Sequence, residues 1–299
     1  MKADALTIEL SQAQSREQWV EIVAAYFDAH DLVYGHGTDT AADEAYWLVW
    51  QLSGTPDELA GLAVDPQLAA RVAAIAKRRV SERLPLAYLL GSAYFAGFEF
   101  EVGAEVLVPR SPMAELIEQG FEPWCQLTRG DRVLEIGTGS GCIAIAIALL
   151  LDGVAVDATE IDPAALKLAA RNIERHGVGD RVQLIEADLF PAVERRYRVI
   201  ISNPPYVPTA DVRALPVEYQ HEPTAALDGG ADGLDIVRRI LTGAGQRLLP
   251  DGVLIVEVGL TWDALQRTYG QVPWTWIEFE RGGEGVFVLT ADELKDGWR

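Results

Sequence analysis

EIGTGSG, residues 135–141, follows an apolar strand at residues 133–136 and opens an apolar helix, and its reading decides the fold. Gly137, Gly139 and Gly141 permit a tight turn and let a ligand lie against bare backbone at the carboxyl edge of a sheet. Such a glycine triplet can also serve packing alone. A strand before it and a helix after it make it a ligand loop by position. The spacing is GxGxG behind an acidic residue, whereas dinucleotide folds use GxGxxG to seat a pyrophosphate. A ligand with an ammonium group instead of phosphate suits that arrangement, with Glu135 as its direct or water-mediated partner.

Outward from this loop, strands and helices alternate. Residues 133–136, 154–158, 182–185, 199–201 and 253–258 are apolar strand candidates, and the pattern predicts a doubly wound parallel sheet. The last two strands, at 274–279 and 285–289, flank a glycine-rich turn and read as an antiparallel hairpin on the sheet's edge. Acidic residues close three consecutive strands. Glu160 ends the second strand, near the distance after the glycine loop at which a carboxylate grips a ribose diol. Asp162, followed by Pro163, reads as a helix cap. Asp188, after the third strand, can accept from an adenine amino group. Each carboxylate alone reads equally well as a solvated loop charge; three at successive strand ends read as a site.

The fourth parallel strand runs into RVIISNPPY, residues 198–206. Two prolines fix φ and donate no hydrogen bond, so the chain leaves the sheet as a stiff loop with free carbonyls. The Asn203 side-chain oxygen and the Pro204 carbonyl can take the two hydrogens of an NH2 group, with Pro205 stiffening the loop and Tyr206 stacking on the amide's flat face. Taken alone, the tetrapeptide also reads as ordinary turn punctuation.

Residues 1–90 read as helices. One follows a Ser15 cap with Trp19, Val23 and Phe27 at helical spacing; another opens at Thr40 with Asp43 as a capping-box variant; a third begins at Asp65-Pro66 and runs toward Pro85. This small bundle carries no chemical constellation, and substrate docking is the expected role of such an added domain. Residues 91–111 read as a β-hairpin linker turning at Gly103-Ala104, with Arg110 toward solvent, and residues 112–299 as the domain of the sheet. The basic cluster Lys77, Arg78, Arg79 and Arg83 reads as a solvated helix end.

With 299 residues and 49% of them apolar, the chain can bury a full core. Cys125 and Cys142 are the only cysteines, outside any CxxC or Cys/His cluster, and read as buried thiols without a bridge or a metal. No apolar run is long enough to span a bilayer, which sets the expectation of a cytoplasmic protein without a membrane partner. A net charge of −20 repels phosphate backbones and steers basic partners, so direct nucleic-acid reading is not expected.

EIGTGSG, Glu160, ADLF around Asp188 and NPPY, in this order, resemble a seven-stranded, Rossmann-like S-adenosylmethionine-dependent methyltransferase of the amide or exocyclic-amine class. The remainder sharpens the likeness. DLVYGHGTDTAADEA at 31–45, RLPLAYLLGSAYFAGFEF at 83–100 and VLVPRSPMAELI at 106–117 resemble the PrmB family, which methylates a glutamine of ribosomal protein L-three. The related release-factor family reads PRPDTE where this chain has PRSPMA at 109–114. The resemblance implies an S-adenosyl-L-methionine site across Gly137, Thr138, Gly139 and Gly141 with Glu135, Glu160, Asp188 and Asn203, and a glutamine amide held by Asn203, Pro204, Pro205 and Tyr206. It also implies S-adenosyl-L-homocysteine as product and basic ribosomal protein L-three, free or in early assembly, as partner. The rival readings are a release-factor glutamine methyltransferase, an adenine-amine nucleic-acid methyltransferase and, from another class, an NAD-dependent oxidoreductase.

Overall fold

The computed structural model describes residues 5–54 and 65–298. The chain forms two compact units: the chain up to Ser92 together with Pro216–His221, and Ala93–Leu215 together with the chain from Glu222 onward.

The first unit is helical, with α1 (Ala5–Gln12), α2 (Arg16–Asp28), α3 (Ala41–Ser53), α4 (Pro66–Glu82) and α5 (Leu86–Leu90). The predicted caps form: the Ser15 hydroxyl accepts from Gln18 N, Thr40 from Asp43 N, and Asp65 from Gln67 N ahead of Pro66. Trp19, Phe27 and Leu48 are fully buried on the apolar stripes. The basic cluster differs from its reading as a solvated end. Arg78 is exposed and pairs with Glu82, but Arg79 is fully buried. Its guanidinium donates to Glu44 Oε2 at 2.9 Å, Glu44 Oε1 at 3.2 Å, the Val33 carbonyl at 2.9 Å and Glu218 Oε1 at 3.4 Å. Arg83 adds bonds of 2.6 and 3.1 Å to the two Glu218 oxygens. The charge can be buried because each guanidinium nitrogen donates to an oxygen and two carboxylates face it. Glu218 thereby fastens the short segment Pro216–His221 to the helices.

Strands β1 (Ser92–Phe95) and β2 (Phe98–Glu101) form a two-stranded sheet. The expected hairpin is present, but it turns at Ala96-Gly97, both at positive φ (48° and 80°), as a two-residue hairpin loop demands. Gly103-Ala104 lies past the second strand, in a separate turn closed by Val106 N on the Gly103 carbonyl.

The second unit continues with α6 (Met113–Glu118), β3 (Arg132–Ile136), α7 (Cys142–Leu150), β4 (Ala155–Glu160), α8 (Pro163–His176), β5 (Val182–Glu186) and β6 (Tyr197–Ser202). After β6 come the short helices α9 (Thr209–Val212) and α10 (Thr224–Leu227), then α11 (Asp235–Ala244), β7 (Leu248–Glu257), α12 (Trp262–Thr268), β8 (Thr275–Trp276), β9 (Val286–Thr290) and α13 (Ala291–Gly297). Seven strands make one sheet in the order β5-β4-β3-β6-β7-β9-β8, with β3 to β7 parallel and β9 antiparallel to both β7 and β8. The edge hairpin is therefore as expected, with β8 shortened to two residues. Apolar clusters cover both faces: Ile143, Ile145 and Ile147 of α7 lie in one and Val237, Ile240 and Leu241 of α11 in the other. Burial on both faces is why the central strands read as unbroken apolar runs. Cys125 and Cys142 are both buried and free. No helix among the described residues is long and apolar enough to cross a membrane.

Candidate active site

Register assembles the site. Ile136 of β3 faces Thr159 of β4 on one side and Ser202 of β6 on the other, and Ser202 faces Val256 of β7. The next residue on each strand, Glu160, Gly137, Asn203 and Glu257, therefore stands at one level along the carboxyl edge. The chain crosses over to β4 on one side of β3 and reaches β6 on the other, so this edge is the topological switch point where open α/β sheets bind ligands. Ser202 Oγ donates to the Ile136 carbonyl at 2.8 Å and ties the two loops together at their roots.

The glycine loop is closed upon itself. Glu135 is buried, and its Oε2 accepts from Thr138 Oγ1 at 2.5 Å and Ala144 N at 3.0 Å. Burial, with the charge of Glu160 adding, pushes its carboxyl up to about 8 against those two bonds. Burial likewise pushes the Cys142 thiol up to about 12, as befits helix packing. Glu160 ends β4 with Oε1 accepting from Ile161 N (2.8 Å) and Asp162 N (3.0 Å) and Oε2 from Gly139 N (2.9 Å). Asp162 caps α8 through Ala164 N. A Cβ at Gly137 or Gly139 would meet nothing within 4 Å, so open space lies over the backbone there. Gly141 differs: a Cβ there would press Ile145 at 3.2 Å and Ala169 at 3.4 Å, so its bareness serves helix packing. Asp188 borders the same space, its carboxylate paired with Arg239 at 2.7 Å.

The tetrapeptide is held differently. Neither the Asn203 carboxamide nor the Pro204 carbonyl is hydrogen-bonded to another described residue. The loop is nevertheless fixed, because Val207 N bonds the Leu227 carbonyl and Gly229 N the Val207 carbonyl. Gly229 and Gly233 allow this approach: a Cβ on either would fall 2.8 Å from the Tyr206 Cα and 2.3 Å from the Tyr206 oxygen respectively. Tyr206 does not line the cavity. Its hydroxyl donates to Glu257 Oε1 at 3.1 Å, and its ring fills the space that a Cβ on Gly259 would need.

The cavity between these loops has a volume of about 320 Å³ and is bounded by the glycine loop, Glu160, Asp188, residues 202–205 and the segment 105–111. Arg110 belongs to this wall and not to solvent: its two terminal nitrogens each donate to a Glu222 oxygen at 2.6 Å. Glu222 also accepts from Val108 N at 3.0 Å, so one buried carboxylate anchors the wall. A larger hollow of about 930 Å³, lined by Arg195, Arg247 and Lys295, lies at the amino ends of β6 and β7, away from these loops. Glu222 and Glu257 were not anticipated from sequence. Glu257 carried the same signal as Glu135 and Glu160, a carboxylate closing an apolar strand.

Fold, switch-point cavity, glycine loop and tetrapeptide define a methyltransferase of the seven-stranded, S-adenosylmethionine-dependent class. The methyltransferase small domain family matches residues 95–217. A ribosomal protein uL3 glutamine methyltransferase of Neisseria gonorrhoeae is 42% identical over 273 residues, 90% of this chain and 91% of its own. One of Bordetella pertussis is 40% identical over 289 residues, 95% and 97% of the two chains. Among solved structures, the catalytic domain of hMettl16 in complex with MAT2A 3′UTR hairpin 1 shares the fold, with a TM-score of 0.50 and 20% identity over 81% of this chain and 88% of its own. The chain belongs to the ribosomal protein uL3 glutamine methyltransferase family.

Proposed function

We propose that this protein transfers a methyl group from S-adenosyl-L-methionine to the side-chain amide nitrogen of a glutamine in ribosomal protein uL3, leaving S-adenosyl-L-homocysteine. The observation that carries this reading is the pair of acceptors, Asn203 and Pro204, unbonded and in the same cavity as the glycine loop.

The residues present fit the donor. The bare backbone at Gly137 and Gly139 gives it room, and Thr138 lines the same wall. Glu160, held by three backbone N–H groups, is an oriented acceptor for a ribose diol, Asp188 suits an adenine amino group, and Glu135 supports the loop facing the ammonium. When bound, the donor supplies an electrophilic methyl on a sulfonium. The work left to the protein is alignment, since an amide nitrogen is a poor nucleophile whose lone pair is delocalised into its carbonyl. Holding both N–H hydrogens on Asn203 and Pro204 points the nitrogen at the methyl; alignment of this kind is worth up to ~7–11 kcal/mol in small-molecule systems. The same acceptors stabilise positive charge developing on nitrogen. A methylated amide protonated on nitrogen is strongly acidic and loses its proton to water.

The helical unit is assigned to docking of the substrate, and the net charge of −20 favours a basic partner, met free or early in assembly and without nucleic-acid reading. The test is transfer of labelled methyl to purified uL3, with a release factor and ribosomal RNA in parallel, and tandem mass spectrometry to place the label. Methyl on a glutamine amide of uL3 is the expected result. Label on the release factor or the RNA instead would overturn it.

A further inference from the structure

Glu257 is the last residue of β7 and only 5% exposed. Among the described residues it takes part in no ion pair, and Arg110, whose charge reaches it, is engaged by Glu222. A buried carboxylate without a cation is costly, and an aliphatic side chain would serve packing better. Its two oxygens are instead divided between two walls of the site. Oε1 accepts from the Tyr206 hydroxyl at 3.1 Å, and Oε2 accepts from Ser111 Oγ at 2.6 Å. Ser111 lines the cavity and also receives Met113 N at 3.2 Å, which leaves its hydroxyl proton directed at Glu257. Register sets Glu257 level with Asn203 on the adjoining strand.

We infer that Glu257 is a positioning residue for methyl transfer: one buried carboxylate clamps Tyr206 of the tetrapeptide and Ser111 of the opposite wall, fixing Asn203 and Pro204 at the separation at which the substrate amide is aligned. The inference rests on the assignment of the amide to Asn203 and Pro204. Tyr206 thereby acts through its anchorage, consistent with its position outside the cavity lining. The effect belongs in turnover, because alignment of a weak nucleophile is sensitive to displacements of about 1 Å, whereas the donor's carboxylates stand on β4 and beyond β5.

The experiment compares Glu257→Gln, Tyr206→Phe, their combination and Asn203→Ala for kcat and KM with uL3, for S-adenosylmethionine affinity by calorimetry, and for melting temperature. Glu257→Gln keeps the shape but leaves one acceptor oxygen for two hydroxyl donors, so one arm of the clamp is lost, and Tyr206→Phe cuts the Tyr206 arm alone. Each is expected to lower kcat by about tenfold to a hundredfold, the scale of a lost hydrogen bond to a charged group, with donor affinity unchanged. The double variant should fall by less than the product of the two single losses, because both changes act on one clamp that needs both arms. Unchanged kcat in both singles, additive losses, or an equal loss of donor affinity would overturn the inference. Asn203→Ala separates the two levels of argument. If it retains turnover, the amide site itself is wrong and this inference falls with it; if it is inactive while Glu257→Gln and Tyr206→Phe turn over normally, only the clamp is wrong.

Discussion

The loop after β3 and the tetrapeptide after β6 leave adjacent strands at one level of the sheet, and their polar groups are treated in opposite ways. In the first, Thr138, Ala144 N and Gly139 N are all committed to Glu135 or Glu160. In the second, the backbone is pinned by Gly229 and Gly233 against Tyr206, yet the Asn203 carboxamide and Pro204 carbonyl are bonded to no described residue. A loop with its own groups paired is a finished surface, ready to receive the donor without rearrangement. A rigid loop with unpaired acceptors is complementary to a group that brings its own donors, as a primary amide does.

Changes that break this contrast are ordered by size. Asn203→Ala removes the acceptor proposed for the substrate amide, and turnover should fall by about a thousandfold; turnover near that of the unaltered enzyme would contradict it. Glu160→Ala acts on the other loop. It deletes the acceptor proposed for the ribose diol and frees Gly139 N, so the donor's apparent KM should rise by about tenfold to a hundredfold, and saturating donor should restore most of the rate. A kcat that stays low at saturation would place Glu160 outside the donor site.

A subtler effect concerns Glu135. Its carboxyl sits at about 8 in the folded chain against 4.5 for an ordinary glutamate, so the native state binds more protons between those values. Its stabilising contribution is complete below 4.5 and is lost as pH rises toward about 8. Without ligand, the stability difference between the unaltered protein and Glu135→Gln should therefore shrink across that window in thermal denaturation, and a flat difference would count against it. Smallest is an effect that precedes both loops. Steering of a basic substrate by a chain of charge −20 should weaken as the Debye length shortens from ~10 Å at 0.1 M salt to ~3 Å at 1 M. The expectation is a several-fold drop in kcat/KM for uL3 with little change in kcat; a salt-independent kcat/KM would contradict it.

What was legible in the sequence follows from range. Val133, Leu134, Val199, Ile200 and Ile201 are fully buried in the centre of the sheet, and a strand covered on both faces needs no partner information to be read. Gly137 and Gly139 carry their meaning locally, as does Glu160 at its strand end. The buried arginines do not. Arg79 finds Glu44 and Glu218 at 35 and 139 residues' separation, and Arg110 finds Glu222 at 112, so their charges read as solvent-facing until the fold supplies the oxygens. In the structure Arg79 lies on the buried stripe of Leu68, Val72 and Ala76. Glu257 falls inside an apolar run that continues through Val258, and that continuity masks its place at the carboxyl edge.

The division of labour between the two loops is tested most directly by calorimetric titration of S-adenosylmethionine into Asn203→Ala beside Glu160→Ala. The account predicts near-normal donor affinity when the unpaired loop is altered and a loss of about tenfold or more when the paired loop is altered. Donor binding lost in Asn203→Ala and retained in Glu160→Ala would contradict it.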